Sequence, residues 1–182
     1  MTTKSNFSTL QAYVDYLNSL LNQIITDSRL TVLNASELQS LVTCFQNSSI
    51  QPLKLKPKGW LHFRQQTCIK NGRVIVERCR YAYSLSSNPD NEDSWIFRYE
   101  YRLIPDEIYV PHAHLHVNAQ RNGKTLKHIH FPTSRLSIEQ VIAHLIIEHK
   151  IKPKCSDWFD CLAKSHEGFA IRRTDPHQKL FP

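Results

Sequence analysis

The sequence predicts a single α+β domain, in which an antiparallel sheet forms a five-stranded meander between two N-terminal helices and one or two C-terminal helices. Three observations lead to this prediction. Apolar residues recur at helical spacing near both ends of the chain, and long segments between them alternate apolar with polar residues, as strands do. Short turn signals connect these segments, which favours antiparallel pairing over parallel strands joined by helices. At 182 residues the chain is long enough to bury a substantial core.

The first 50 residues are predicted to be helical. Residues 7–29 carry apolar side chains at helical spacing, which predicts a first helix. The segment from Asn34 to Glu37 has the pattern of a capping box, which predicts a second, short helix that ends near Phe45. Residues 51–59 contain three lysines and two prolines, so a basic loop is expected before the sheet.

The middle of the chain, residues 58–132, is predicted to form the sheet. Turn signals at Asn71-Gly72 and in the polar segment 86–93 divide it into strands. The predicted strands are residues 60–69, 73–85, 94–104 and the two arms of a hairpin within residues 111–133.

The C-terminal helices are expected within residues 136–166. Ser137 and Gln140 form a second capping-box pattern, which predicts a helix that continues to about His149. Its predicted buried stripe consists of Ile138, Val141, Ile142 and Leu145. A last short helix is predicted for residues 157–164, and residues 174–182 are expected to be a loose tail.

Composition narrows the classes of function. The formal net charge of +7 and the isoelectric point near 9.2 favour an anionic partner, most simply RNA or DNA, although a basic protein can also be basic without such a partner. The five cysteines are scattered and form no CxxC pair, which predicts reduced thiols and a cytoplasmic protein. No apolar run of about 20 residues and no signal-peptide pattern are present, so no membrane association is expected. With four glycines and no glycine-rich loop, the sequence argues against nucleotide-cofactor chemistry.

Arginines alternate with aromatic residues on two of the predicted strands. The four arginines are Arg78, Arg80, Arg98 and Arg102. The opposite side of the second of these strands carries Trp95, Phe97, Tyr99 and Tyr101. If the aromatic sides meet in the core, the arginines gather around Glu100 on the other face. Such a cluster suits phosphate, because each guanidinium can bind two oxygens, but a solvated ladder of ion pairs is the alternative.

The segment from Pro111 to Thr133 contains five of the ten histidines. They are His112, His114, His116, His128 and His130. In each set the histidines alternate with apolar residues, so a strand places all imidazoles of the set on one side. Arg121-Asn122-Gly123 lies between the two sets and is a turn signal. The segment is therefore predicted to be a β-hairpin with a histidine face.

The length of the turn decides whether the two histidine sets meet. A two-residue Asn-Gly turn would pair Arg121 with Lys124. In that register His116 lies opposite Ile129, and each face of the hairpin mixes histidines with apolar groups.

A three-residue loop at residues 121–123 shifts the register by one. His116 then faces His128, and His114 faces His130, while the apolar residues of both arms share the other face. Because burial of that apolar face is favourable, the three-residue loop is the predicted register.

Three interpretations of the histidines are open. They can act as acid and base, because imidazole titrates near neutral pH and cleavage of RNA by its own 2′-hydroxyl needs both roles. They can bind a divalent transition metal, for which all five are candidate ligands. They can also be hydrogen-bonded residues of an open sheet face with no chemical role.

The segment from Trp95 to Ile146 resembles the TumE-like family of bacterial toxins. The matching motifs are Phe97-Arg98-Tyr99-x-Tyr101, Pro111-His112-x-His114-x-His116 and the Leu-Ser-x-Glu-x-Val run from Leu136 to Val141. The resemblance implies a toxin that acts on RNA and is paired with an antitoxin protein. About ninety additional N-terminal residues and the second histidine pair, His128 and His130, depart from the family pattern and leave open a related task, such as that of a defence-system effector.

The expected function is therefore that of a cytoplasmic RNA-cleaving toxin or defence nuclease. The predicted acid–base residues are His114, His116, His128 and His130, and the predicted phosphate-binding residues are Arg78, Arg80, Arg98 and Arg102. No cofactor is expected, although a divalent transition metal stays possible. The alternatives are a non-enzymatic module that binds nucleic acid or protein, and a metal-dependent hydrolase. The sequence leaves the oligomeric state open.

Overall fold

The computed structural model describes residues 9–34, 39–88, 94–104, 110–121, 124–126 and 128–172, and it has an α+β fold. The helices are α1 (Leu10–Ile24), α2 (Ile138–Ile147) and α3 (Trp158–Arg172). The strands are β1 (Thr31–Asn34), β2 (Ser40–Thr43), β3 (Phe45–Gln46), β4 (Ser49–Ile50), β5 (Leu53–Lys54), β6 (Trp60–Lys70), β7 (Arg73–Ser84), β8 (Trp95–Arg102), β9 (Ala113–Val117), β10 (Gln120–Arg121), β11 (Lys124–Thr125) and β12 (Phe131–Pro132).

The main sheet has eight strands rather than the predicted five. Its order is β1-β2-β6-β7-β8-β9-β12, and β5 pairs with the part of β6 that β2 leaves free. Strands β6, β7, β8, β9 and β12 lie side by side with antiparallel neighbours, but the predicted five-stranded meander is not matched, because the sheet continues through β2 and β1 and because β10 and β11 form a separate hairpin between β9 and β12. The sheet is wider than expected because the chain before residue 58 also contributes strands.

The second N-terminal helix was predicted wrongly. The chain there forms a hairpin, in which Thr31 pairs with Thr43 and Val32 with Val42. The β-branched residues on both arms favour extended backbone, and Val42 is fully buried against the core. The capping-box pattern that suggested a helix falls mostly on residues 35–38, which lie outside the described residues.

Helix α1 packs against one face of the sheet. Thr9 caps the helix, since its side-chain oxygen accepts a hydrogen bond from the backbone N–H of Ala12. The residues that it buries are Val14, Leu17, Leu20, Leu21 and Ile24. The hydroxyl of the partly buried Tyr13 donates to Gln65 of β6 at 2.7 Å, which fixes the helix over the centre of the sheet.

One face of the sheet is the aromatic core. Tyr81 and Tyr99 stack on neighbouring strands with ring centroids 5.9 Å apart, and Phe63 packs 5.2 Å from Tyr81. The Tyr99 hydroxyl accepts the backbone N–H of Leu136 at 2.8 Å, which joins the core to the start of α2. Because the helices pack on this face, Arg64, Arg80, Arg98 and His114 of β6 to β9 are directed to the opposite face.

The C-terminal helices follow the sequence prediction closely. Ser137 and Gln140 form the predicted capping box, and all four residues of the predicted stripe of α2 are buried. Helix α3 is longer than predicted, and the buried Glu139 ties it to the rest by accepting hydrogen bonds from Tyr16 and Ser165, both at 2.6 Å. The predicted tail at residues 174–182 lies outside the described residues. None of the helices in the described part is long and apolar enough to span a lipid bilayer.

Candidate functional site

The hairpin that carries the histidines has neither of the simple registers. At its tip Arg121 pairs with Lys124, as in a two-residue turn, so the predicted three-residue loop is wrong. At its base Phe131 pairs with Leu115 and Pro132 with His114. The two ends of the hairpin therefore differ in register by one residue.

A turn between the tip and the base accommodates this one-residue difference in register. The backbone N–H of Leu126 still follows the tip register and donates to Ala119, whereas the N–H of Ile129 donates back to Leu126 at 2.9 Å. If the register of the tip continued to the base, Ile129 would lie opposite His116. Because of the turn, His130 lies opposite His116 instead.

The result is a group of three neighbouring imidazoles, which we call the histidine cluster: His114, His116 and His130. Their ring centroids lie 5.0 Å apart for His114 and His116, and 4.6 Å apart for His130 and each of the others. One ring nitrogen of each residue lies within 4.8 Å of those of the other two. His114 and His116 are 2% and 3% exposed, whereas His130 is exposed to solvent.

The other two predicted histidines do not join the cluster. His128 is exposed and lies outside the histidine cluster, so the prediction that it faces His116 is wrong. His112 is exposed at the end of β9, where its Nδ1 lies 3.1 Å from the carbonyl oxygen of Arg102. The apolar side of the hairpin is also less buried than predicted, because Ile129 and Phe131 remain 46% and 39% exposed.

His114 has a hydrogen bond at one ring nitrogen and a carboxylate near the other. Its Nδ1 lies 3.0 Å from the carbonyl oxygen of Pro111, and because a carbonyl only accepts, Nδ1 carries a proton and donates it. Its Nε2 lies 3.5 Å from Oε2 of Glu100. The orientation and tautomer of this imidazole are therefore set by its neighbours.

Glu100 is a buried carboxylate between the histidine cluster and two arginines. Its Oε1 lies 2.7 Å from Nε of Arg80 and 3.2 Å from Nε of Arg98. Burial by itself would raise the pKa of the Glu100 carboxyl, but the charges of Arg80 and Arg98 outweigh burial and hold that pKa below its usual value. The carboxylate is thus ionised at neutral pH.

Cross-strand pairing arranges the basic residues in three rows, two of which end at the histidine cluster. One row runs from Arg64 through Arg80 and Glu100 to His114. The next row pairs Arg98 with His116, and a third pairs Arg78 with Arg102. We call Arg64, Arg78, Arg80, Arg98 and Arg102 the arginine face. The predicted gathering of arginines beside Glu100 is present for Arg80 and Arg98.

Arg64 belongs to this face, although sequence reasoning did not select it. The signal was available, since Arg64 lies on a strand that alternates apolar and polar residues and precedes a hairpin to β7. The sequence did not indicate which residue Arg64 would pair with, because Arg64 lies opposite Arg80 only in the observed register.

Trp95 was predicted to lie in the aromatic core. In the structure it lies beside the histidine cluster. Its ring centroid is 6.4 Å from that of His116 and 5.4 Å from the guanidinium carbon of Arg98. The reason is a bulge: Tyr83 pairs with Phe97 but Ser84 pairs with Trp95, so Ile96 is an extra residue that reverses the side of Trp95.

A second group of potential ligands lies far along the chain. Sγ of Cys155, a carboxylate oxygen of Asp157 and Sγ of Cys161 all lie within 4.8 Å of one another at the start of α3. Desolvation and the Asp157 carboxylate raise the pKa of both thiols, which keeps them protonated at neutral pH. The described residues thus contain two groups whose chemistry would allow a metal ion.

No protein-family model matches the chain, and neither the search of curated proteins nor the search of solved structures gave a match. The resemblance to the TumE-like toxins therefore stays a prediction that rests on the motifs quoted above. Any function has to be argued from the histidine cluster and the arginine face.

Proposed function

We propose that the chain is an RNA-cleaving enzyme, of the toxin or defence-nuclease class, whose active site is the histidine cluster. The main support for this proposal is that the arginine face adjoins the histidine cluster. Arg80 and Arg98 lie in rows of paired residues that end at His114 and His116. Cleavage of RNA through its 2′-hydroxyl requires a proton acceptor, a proton donor and cations for the phosphate, and this face supplies all three.

The arginine face supports binding of a polyanion. Its members lie on three adjacent strands, and Glu100 neutralises part of the charge of Arg80 and Arg98 while keeping their guanidinium groups in place. Arg80 remains 46% exposed at its side chain, so a phosphate can reach it without disrupting the pair. The formal net charge of +7 adds a long-range attraction for nucleic acid.

Proximity of the imidazoles supports acid–base chemistry. Two imidazolium charges no more than 4.8 Å apart repel each other by about 3.5 kcal/mol at an effective dielectric constant of about 20. Neighbouring imidazoles of the cluster can therefore divide the two roles of acid–base catalysis, one as proton acceptor and the other as proton donor. A single isolated histidine lacks this arrangement.

Exposure assigns different roles within the cluster. His130 is exposed, so it is the catalytic residue that takes the proton from the 2′-hydroxyl. The oxygen then attacks phosphorus, the bond from phosphorus to the 5′-oxygen breaks, and the cluster returns a proton to that oxygen, leaving a 2′,3′-cyclic phosphate. His114 is a buried positioning residue, held by Pro111 and Glu100.

The test compares two exposed histidines of the same hairpin. We expect His130→Ala to lower the rate of RNA cleavage by about a hundredfold to ten-thousandfold, as loss of an acid–base group does. His128→Ala is the matched control and should retain the parent rate, because His128 is equally exposed but lies outside the cluster. The assay uses purified protein with single-stranded RNA in the presence of a chelator, and analyses the product ends.

The outcomes separate the classes of function. Cyclic phosphate ends and inert DNA support the proposal, since DNA lacks the attacking hydroxyl. Equal activity of the two variants would contradict it. Binding of RNA without any cleavage would favour the non-enzymatic module. If the proposal holds, the motif resemblance further suggests that a separate antitoxin protein restrains the enzyme.

A further inference from the structure

We propose that the histidine cluster is also a binding site for one divalent transition-metal ion, with His114, His116 and His130 as its protein ligands. Imidazole nitrogen is a donor that favours zinc, copper and nickel over magnesium or calcium. His114 and His116 lie on β9, and His130 immediately precedes β12, which pairs with β9, so the three residues converge on one point by tertiary structure.

The surroundings of His114 match those of a metal ligand. Since Nδ1 of His114 donates to the Pro111 carbonyl, Nε2 is the nitrogen that is available to an ion. Metal-binding histidines usually donate their other N–H to a carbonyl or carboxylate in this way, which fixes the ring and increases its basicity. Glu100, 3.5 Å from Nε2, adds a negative charge next to the site.

The distances require only a small adjustment. With bonds of about 2.0–2.1 Å from zinc to nitrogen, ligand nitrogens in a tetrahedral site lie about 3.3 Å apart. The ring nitrogens of His114, His116 and His130 lie within 4.8 Å of one another. Because His130 is exposed, a change in its side-chain conformation can shorten these distances. Three protein ligands leave a fourth position, which a water molecule or a phosphate oxygen would occupy.

Metal binding and acid–base catalysis use the same lone pairs. An ion on these nitrogens removes the proton acceptor, so a bound metal should inhibit RNA cleavage. This consequence rests on the proposed function, whereas binding itself does not. The site would then make the enzyme sensitive to the concentration of free zinc or copper.

The experiment measures binding of Co²⁺ to the full chain by absorption spectroscopy and by equilibrium dialysis. We expect one ion per chain with no thiolate charge-transfer band, because the ligands are nitrogens. His130→Ala should weaken binding by at least about tenfold, and His128→Ala should not change it. His130 is exposed, so its replacement leaves the core intact and circular dichroism should confirm the fold.

Two results would overturn the site. One is a thiolate band that disappears in the Cys155→Ser variant, which would place the ion at the second ligand group near α3. The other is binding that is absent or unaffected by His130→Ala. A separate activity arm adds Zn²⁺ to the cleavage reaction. If the ion binds but the protein cleaves no RNA under any condition, the metal site stands and the proposed function fails.

Discussion

Replacing Glu100 by glutamine should destabilise the fold at neutral pH and much less in acid. Glu100 is buried and pairs with Arg98, which is 18% exposed at its side chain, and with Arg80, which is 46% exposed. Glutamine keeps the size and one acceptor but removes the charge, so both guanidinium groups lose their counter-ion.

The magnitude follows from the burial of each pair. Arg98 is largely removed from water, and leaving a buried charged group without its partner costs about 1–3 kcal/mol or more. A half-exposed pair contributes about 0–1 kcal/mol, which applies to Arg80. We therefore expect Glu100→Gln to lower the free energy of unfolding by about 2–3 kcal/mol at pH 7.

The pH dependence checks the cause. Because the arginines hold the pKa of the Glu100 carboxyl below its usual 4.5, its stabilisation is fully present above pH 4.5 and is lost as the pH falls through the folded-state pKa. The difference in free energy between the parent and Glu100→Gln, measured by urea denaturation, should therefore shrink below pH 4.5. Glu148→Gln, at the exposed residue that follows α2, is the control and should change stability by less than about 0.5 kcal/mol. A loss that is the same at pH 7 and in acid would refute the ion-pair explanation.

Two further predictions concern stability. Gly59 has φ of +100° and its Cβ would lie 2.5 Å from the Tyr83 ring, so Gly59→Ala should cost more than about 2 kcal/mol in thermal or urea unfolding. Gly72→Ala, also at positive φ but in open space, should cost less, and equal losses would mean that the close contact does not matter. Burial and the neighbouring His144 lower the pKa of His149, so its contribution to stability is present above pH 6.5 and decreases as the pH falls below that value. His149→Phe should flatten the dependence of the melting temperature on pH in that range, and an unchanged slope would contradict the assignment.

Local signals in the sequence predicted the elements that depend on near neighbours. The capping box of Ser137 and Gln140 requires four consecutive residues, and it is present with both hydrogen bonds. The long alternating segments likewise became β6, β7 and β8 with nearly the predicted bounds. The hairpin at residues 31–43 was missed because a capping-box pattern and a turn between strands use the same small polar residues.

Positions that depend on the register of distant residues were harder to predict. Alternation assigned Trp95 to the core, but one extra residue at Ile96 reversed its side. Alternation gave the right side for His114, His116 and His130. It gave the wrong partner for His128, and also for His130, which lies opposite His116 and not opposite His114 as predicted. Bulges and irregular turns cost little energy and leave no strong pattern in the sequence. The sequence therefore predicts which face of a strand is polar more reliably than it predicts which residues of neighbouring strands lie opposite each other.

The turn between Leu126 and Ile129 imposes an odd–even rule on the evolution of this loop. Loops commonly gain and lose residues without consequence, since their ends stay in place. Here a gain or loss of one residue would bring an apolar neighbour such as Phe131 to the position opposite His116 and carry the imidazole of His130 to the other side of the sheet. A change of two residues would return the imidazole of His130 to the same side of the sheet, but two positions away from its place opposite His116. We therefore expect any change in the length of this segment to disrupt the contact between His116 and His130, and changes by an odd number to disrupt it most.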